Sequence, residues 1–346
     1  MLSPLKAGIA GYGTIGRVRH KYANLHPMLN VVAVCDQSYL KAGKFEDGTR
    51  FYPDYEQLFA ESLDILFVCL PNYLSPTVTM AGLKRGLHVF CEKPPGRTLD
   101  DIRAVIECEK LHPEQRLMYG FNHRYHDSVQ DALRIIQSGD LGEVLDLRGV
   151  YGKSKIIRFD SNEWRTQRSL AGGGILLDQG IHMVDMMRLF GGEFSDVHSF
   201  IKNDFWHHDV EDNAYVLMRT SDGKVAMLHS SATQWRHRFQ LDITLTRGAI
   251  QLSGILTNSR SYGAETITLI YASQGDGGDP KEQTTRYNSD HSWPDEIAAF
   301  VNNIVKGQPI EAGSSAEAYK TMELVQRIYH ADADWAAKRL MVDKDY

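Results

Sequence analysis

Cysteine is scarce in this chain: four in 346 residues. Cys35, Cys69, Cys91 and Cys108 show no paired spacing, which excludes a disulfide framework and a Cys/His zinc knuckle. Three of them lie in apolar, strand-like runs and read as small buried hydrophobes. No apolar run approaches the ~20 residues that a membrane helix needs. There is no basic excess either: 38 Lys and Arg stand against 44 Asp and Glu, a net charge of −6, which argues against nucleic acid or an anionic membrane as partner. Internal repeats and low-complexity tails are absent. Met1-Leu-Ser-Pro-Leu-Lys6 runs directly into a strand-like segment with no secretory leader pattern, so the cytoplasm is the expected compartment.

What is present is the balance of a soluble globular protein, 42% hydrophobic and 24% charged, in a chain long enough for two domains with buried cores. The first third alternates apolar strands (Leu5–Ala10, Val31–Cys35, Asp64–Leu70, Leu87–Cys91, Arg116–Gly120) with helical patterns (a run to about Leu25, Tyr55–Ser62, Pro76–Arg85, Thr98–Leu111). That alternation predicts a parallel sheet with right-handed crossovers. After about Arg124 a helix over Asp127–Ser138 and a strand over Glu143–Val150 precede a polar loop. Six further strand-like runs follow, with a hairpin signal at Ser221-Asp-Gly223, then helices near Pro294–Val305 and Ser315–Arg339. The expected class is α/β: an N-terminal Rossmann doubly wound parallel sheet over residues 1–123, and a C-terminal α+β domain with a mostly antiparallel sheet over residues 124–346.

Gly11-Tyr-Gly13-Thr14-Ile15-Gly16 follows a strand and opens a helix, the context in which G-x-G-x-x-G predicts dinucleotide binding. Gly11 permits the tight turn, Gly13 lets a pyrophosphate approach, and Gly16 lets helix and strand pack closely. The helix N-terminus offers free N–H groups to phosphate. Asp36 lies 20 residues beyond Gly16, at the end of the second strand, where a carboxylate binds the adenosine ribose diol. Gln37 and Ser38 follow it with no Arg for a 2′-phosphate, so NAD is expected over NADP.

Two further features carry chemistry. Phe90-Cys-Glu92-Lys93-Pro-Pro95 ends a strand whose C-terminus points at the ligand in open α/β sheets, and the prolines fix the backbone direction of the lysine. In Ala171-Gly-Gly-Gly-Ile-Leu-Leu-Asp178-Gln-Gly-Ile-His182-Met-Val-Asp185, read as one helix, the two carboxylates and the imidazole fall three and four residues apart and share a face. Such a stripe suits proton transfer, with metal binding the alternative. No Cys/His cluster accompanies it and a nearby lysine would repel a cation, so no metal is expected.

Together these residues resemble the Gfo/Idh/MocA family of sugar and cyclitol oxidoreductases. The resemblance also rests on Arg19-His20 after the glycine turn, Pro71-Asn72, Gly120-Phe-Asn-His-Arg-Tyr125, Trp164-Arg165, Gly172-Gly-Gly174, Glu211-Asp212 and the Glu296-Ile-Ala-Ala-Phe300 helix. It implies Lys93, Asp178 and His182 as catalytic residues. His182 would be the base or acid, Asp178 its orienter and Lys93 the group at the reacting oxygen, while Asp185 braces the local structure. It places Pro71, Asn72, Glu92 and Lys93 at the cofactor beside the glycine turn and Asp36. At the substrate it places Lys93, Arg124, Tyr151, Trp164, Arg165, Asp178 and His182. It implies a homodimer or homotetramer built on the open sheet face. Lys153, Lys155, Arg158, Arg165 and Arg168 form a cationic loop, which suggests an anionic sugar such as a nucleotide sugar or a uronate. Two other functions of such a fold stand beside the dehydrogenase: an NAD-dependent glycosidase, and a silent sensor that uses the cofactor as a ligand. Ser75 stands where many members carry a histidine. The stretch from Asp36 to Tyr55 is short for a crossover helix, leaving Tyr39 to cover the adenine edge.

Overall fold

The structure, a computed structural model, describes residues 3–154, 163–257, 261–273 and 279–340. The chain divides into two compact units, Met1–Asn122 with Trp293–Met322, and His123–Ser292 with Glu323–Tyr346.

The first unit is wound around a seven-stranded sheet. In chain order its elements are β1 (Leu5–Ala10), α1 (Thr14–Leu25), β2 (Leu29–Cys35), β3 (Gly43–Lys44), β4 (Arg50–Tyr52), α2 (Tyr55–Leu58), β5 (Ile65–Val68), α3 (Ser75–Lys84), β6 (His88–Glu92), α4 (Leu99–Lys110) and β7 (Leu117–Gly120). The strand order is β3-β4-β2-β1-β5-β6-β7, parallel throughout except for the β3–β4 pair. The central strands read as unbroken apolar runs because both faces are covered: Ile65, Leu66, Phe67 and Val68 have no solvent exposure. α4 starts on a capping box, with Asp101 N–H bonded to the Thr98 hydroxyl and Asp101 reaching back to Thr98 N–H, the arrangement that satisfies a helix's first free donors. Between Asp36 and Tyr55 the crossover is the small β3–β4 hairpin. There Tyr39 packs on Phe51, ring centroids 4.6 Å apart, and Phe51 on Phe45 at 4.9 Å.

The expected domain limits are corrected at the C-terminal end. Residues 293–322, assigned from sequence to the second domain, belong to the first unit. The reason is the apolar face of helix Ser292–Lys306, where Phe300 packs edge-on against Phe67 and Phe90 and Ile297 and Val301 are buried.

The second unit continues the chain with α5 (Asp127–Ser138), β8 (Val144–Gly152), α6 (Arg168–Ala171), α7 (Ile181–Gly191), β9 (Phe194–Lys202), β10 (Asn213–Thr220), β11 (Val225–Ser231), β12 (Arg238–Leu245), β13 (Gly248–Ser253), β14 (Glu265–Tyr271) and β15 (Lys281–Tyr287). The remaining helices are α8 (Ser292–Lys306), α9 (Ser315–Ala331) and α10 (Ala333–Trp335). The eight strands run β15-β14-β13-β12-β8-β11-β10-β9. Only β8 and β11 pair in parallel; the other neighbours are antiparallel. β10 and β12 alternate buried and open positions, as sheets covered on one face do. α7 lies close over β8 because Gly149 has no side chain: a Cβ there would press on Met183 and Met187. β15 lies outside the sequence expectation, since Lys-Glu-Gln-Thr-Thr-Arg-Tyr carries no apolar alternation; it is an exposed edge strand. The expected helix over Ser315–Arg339 stops at Ala331. Asp332 takes the N–H of Trp335 at 2.9 Å and that of Ile201 at 2.7 Å, capping a new turn instead of continuing the old one. Among the described residues no helix is long and apolar enough to cross a membrane.

Candidate active site

The glycine turn follows β1, where the strand order reverses between β2 and β5, the position at which open α/β sheets bind ligands. Its glycines have separate reasons. Gly11 has φ +90°, and a Cβ there would enter the Cys69 carbonyl; a Cβ on Gly16 would enter the Gly11 carbonyl. A Cβ on Gly13 would meet nothing within 4 Å, so this side of the turn is open to an approaching phosphate. Thr14 and Ile15 form the first turn of α1, which carries no acidic residue and therefore opposes no anion at its positive end. Asp36 accepts the N–H of Tyr12 at 2.8 Å and of Ser38 at 3.0 Å, one on each oxygen. Burial alone would raise its pKa, but the bonds from Ser38 and Tyr12 outweigh that and hold the carboxyl below its ordinary value. An ionised, oriented carboxylate of this kind fits a ribose diol. The residues present therefore suit a dinucleotide.

The corners after β5 and β6 flank the same switch point. Pro71 and Asn72 follow β5, and Ser75 ties that corner by donating to the carbonyls of Leu70 (3.0 Å) and Pro71 (3.2 Å). Ser75, where a histidine is common, thus serves the backbone. Glu92 ends β6 opposite Gly120 of β7, with Lys93 next in the chain.

In the second unit the single helix expected over Ala171–Asp185 is corrected. After α6 the chain bends through Gly172–Gly174, makes a π-turn at Leu176–Gly180, and only then enters α7. The break has a physical cause. Buried Glu211 draws the first N–H groups onto its carboxylate, from Gly174 at 2.7 Å and Leu176 at 2.9 Å, and takes the Tyr329 hydroxyl at 2.7 Å. Burial pushes the Glu211 carboxyl up against these bonds. A π-turn holds more residues than an α-turn, and this one runs straight into α7, so Asp178, His182 and Asp185 lie on one continuous helical stretch that begins after the glycines.

Each polar member of that segment has its own surroundings. Asp185, buried, receives Nε and Nη2 of Arg124, both at 2.6 Å. Arg124, expected at the substrate, is held by this buried bidentate ion pair. Asp178 lies 3.3 Å from Lys153 Nζ and 3.4 Å from Arg165 Nε. Arg165 also donates to Glu163 at 2.8 Å and stacks over Trp164, 4.4 Å from the ring centroid. His182 is buried and lies face to face on His123, centroids 3.7 Å apart and planes 14° apart. His123 Nε2 bonds the Tyr151 hydroxyl at 2.9 Å. Burial pushes the Tyr151 hydroxyl far above its ordinary range, so it stays protonated. Gln179 donates to the Tyr262 hydroxyl at 2.8 Å, and the rings of Tyr262 and Tyr151 meet edge to face. His182 and Tyr151 are thus joined through His123, and Asp178, Arg165 and Trp164 form a second, charged cluster, whose Asp178 carboxylate acts on Tyr151 through its charge.

Sequence reasoning passed over His123, Lys153, Gln179, Tyr262 and Glu211 as site residues. His123 had a signal, its place in Gly120–Tyr125. Lys153 was visible only as one of several loop cations, of which Lys155 and Arg158 lie outside the described residues.

Comparison with known proteins identifies the family and the fold. The family model described as oxidoreductase family, NAD-binding Rossmann fold, matches residues 5–121, and that of the GFO/IDH/MocA C-terminal domain matches residues 129–251. The chain is 27% identical to the D-glucoside 3-dehydrogenase of Escherichia coli (strain K12), covering 95% of each. It is 26% identical to the inositol 2-dehydrogenase of Salmonella typhimurium (strain LT2), covering 77% of this chain and 79% of that one. Among solved structures, levoglucosan dehydrogenase in complex with NADH superposes with a TM-score of 0.82 at 20% identity, over 96% of this chain and 98% of the other. With an NAD-binding Rossmann unit and the matching C-terminal domain in one chain, this protein belongs to the Gfo/Idh/MocA family of NAD(P)-dependent oxidoreductases.

Proposed function

We propose that the chain is an NAD-dependent dehydrogenase that oxidises a secondary hydroxyl of a sugar or cyclitol to a ketone, or runs the reverse. The observation that carries this reading is the buried His182 imidazole, stacked on His123, four residues after Asp178 in a chain whose other unit carries the dinucleotide turn and Asp36. The nicotinamide, when bound, supplies the hydride acceptor. Loss of hydride from carbon must be matched by loss of the hydroxyl proton, and His182 takes it as base. Asp178 contributes negative charge at the proton-transfer group. Lys93 donates a hydrogen bond to the reacting oxygen and stabilises the negative charge that develops there. Named relatives act on glucosides, inositols and levoglucosan, which supports a neutral polyol ring.

The anionic alternative, a nucleotide sugar or uronate, has less support, because Lys153 and Arg165 already face Asp178 and Glu163. NADH formation across myo-inositol, methyl glucosides, levoglucosan, free hexoses, glucuronate and UDP-glucose tests both readings. Turnover confined to the charged members would overturn the neutral reading. Release of free aglycone without net NADH would assign a glycosidase, and NAD binding without turnover of any member would assign a sensor. Arg165→Ala is expected to raise KM for substrate and leave NAD affinity unchanged. Preference for NADP by about tenfold or more in kcat/KM would sink the assignment of Asp36.

We further infer a homo-oligomer formed on the open sheet face. Phe200, Tyr215, Leu217 and Met227 are exposed on the adjacent strands β9, β10 and β11, an apolar patch that soluble proteins normally cover. Light scattering on the purified protein tests this; a monomer at micromolar concentration would refute it.

A further inference from the structure

Three charged side chains, Arg19, Glu92 and Glu296, meet in the interior of the first unit. Arg19, on α1, is fully buried. Its guanidinium carbon lies 4.3 Å from the Phe90 ring centroid and 4.5 Å from that of Trp293. Nε donates to Glu92 Oε1 and Nη2 to Glu296 Oε2, each at 2.6 Å. Gly120 on β7 leaves the room: a Cβ there would stand 3.1 Å from both Arg19 Nη2 and Glu92 Oε2. Four elements, α1, β6, β7 and α8, thus close on one guanidinium, and one of its two carboxylate partners immediately precedes Lys93.

The charges decide what such a cluster does. One cation and two carboxylates would bury a net negative charge, which is costly in a medium that solvates it poorly. Burial pushes the Glu296 carboxyl up to about 8, with Arg19 pulling it down and Glu92 adding to the rise. Its Oε1 is buried with no hydrogen-bond partner among the described residues, the placement of an oxygen that is neutral at pH 7. Cys69 also faces Arg19, but burial pushes its thiol well above the ordinary range, so it does not titrate in this window. With Glu296 neutral, the guanidinium charge serves Glu92. With Glu296 ionised, it is shared, and the two carboxylates repel.

We propose that Arg19 and Glu296 are positioning residues: Arg19 fixes the Glu92 carboxylate and with it the direction in which Lys93 leaves β6, and Glu296 is the member whose charge tightens or loosens that hold. Lys93 is thereby coupled, through Glu92, to the charge state of Glu296. The functional importance of that coupling rests on the reading of Lys93 as the residue at the reacting oxygen; the coupling itself does not.

The test follows Lys93 directly, by NMR of the full-length protein with its lysines 13C-dimethylated, the Lys93 resonance being assigned by its loss in Lys93→Arg. In the wild type this resonance is expected to show an extra titration step near the value of about 8 that Glu296 holds. In Glu296→Gln, a neutral isostere, that step disappears. In Arg19→Lys, which keeps the charge but loses the two-sided fork, the resonance moves towards that of solvent-exposed lysines. A Lys93 titration identical in wild type and Glu296→Gln overturns the proposal, and Glu296→Gln decides the matter even where Arg19→Lys fails to fold. Hydride transfer at the wild-type rate in Lys93→Met would instead refute the catalytic reading and leave the NMR result standing.

Discussion

Glu296→Gln has a consequence for stability that can be worked from the structure. In the unfolded chain this carboxyl ionises near 4.5, and in the folded unit near 8. Between those values the folded state keeps a proton that the unfolded state has lost, so stability falls as pH rises. The sign is that of any group whose folded pKa is raised. The contribution is complete below about 4.5, declines through the window, and is gone above about 8. The full span corresponds to on the order of 5 kcal/mol, or about 1.4 kcal/mol per pH step at the steepest. Gln cannot ionise, and it retains an oxygen to accept from Arg19 Nη2, so the variant lacks this slope while other titrations cancel in the difference. Urea unfolding followed by tryptophan fluorescence, with Trp293 packed on the guanidinium, measures it directly. Relative to wild type, Glu296→Gln is expected to gain stability steadily from pH 5 to pH 8, by at least ~1 kcal/mol over the interval. A difference that stays constant across that range would show that Glu296 is not a buried neutral acid, and the charge argument for the triad would fall with it.

Other substitutions test other parts of the molecule. Asp185→Ala leaves the buried Arg124 guanidinium without its carboxylate and is expected to cost about 3–5 kcal/mol in chemical denaturation; pairing it with Arg124→Met should recover much of that loss. Gly11→Ala places a side chain at φ +90° against the Cys69 carbonyl, so NAD affinity measured by calorimetry should fall sharply in a protein that still folds. His182→Asn should lower kcat by about 10²–10⁴ with NAD affinity unchanged, and an intact kcat would remove His182 from proton transfer. Tyr329→Phe deletes one donor to Glu211 and should cost about 1–2 kcal/mol by thermal denaturation.

Legibility in the sequence followed the range of the interaction concerned. Strand β5 and the centres of β1 and β6 were readable because burial on both faces leaves apolar residues there. The glycine turn was readable because Gly11 and Gly16 each answer a local steric demand, a backbone carbonyl that leaves no room for a Cβ. The π-turn was not, because it is imposed by Glu211, some 35 residues later in the chain. The Arg124–Asp185 ion pair was not readable either, because its partners are 61 residues apart. β15 escaped because an exposed edge strand has no apolar face to advertise. The return of α8 to the first unit was invisible for the same reason as Arg19: the contact spans 277 residues.

These long-range pairs share one property that bears on function. Replacing a buried ion pair by apolar residues is often neutral or stabilising, so a gain in stability is a weak explanation for Arg19–Glu92–Glu296, Arg124–Asp185, or the carboxylate of Glu211 at the π-turn. What each supplies is direction. Arg19 fixes the residue before Lys93, Glu211 fixes the turn that presents Asp178, and Asp185 sits one turn beyond His182 on α7. A charged hydrogen bond specifies the place of both partners to a fraction of an ångström, whereas an apolar contact tolerates sliding. Proton and hydride transfer fail when donors drift by about 1 Å. Charged groups buried behind each candidate catalytic residue are therefore what this chemistry demands of the fold, and apolar double replacements such as Arg124→Met with Asp185→Leu should separate the two functions, preserving the unfolding midpoint while kcat falls.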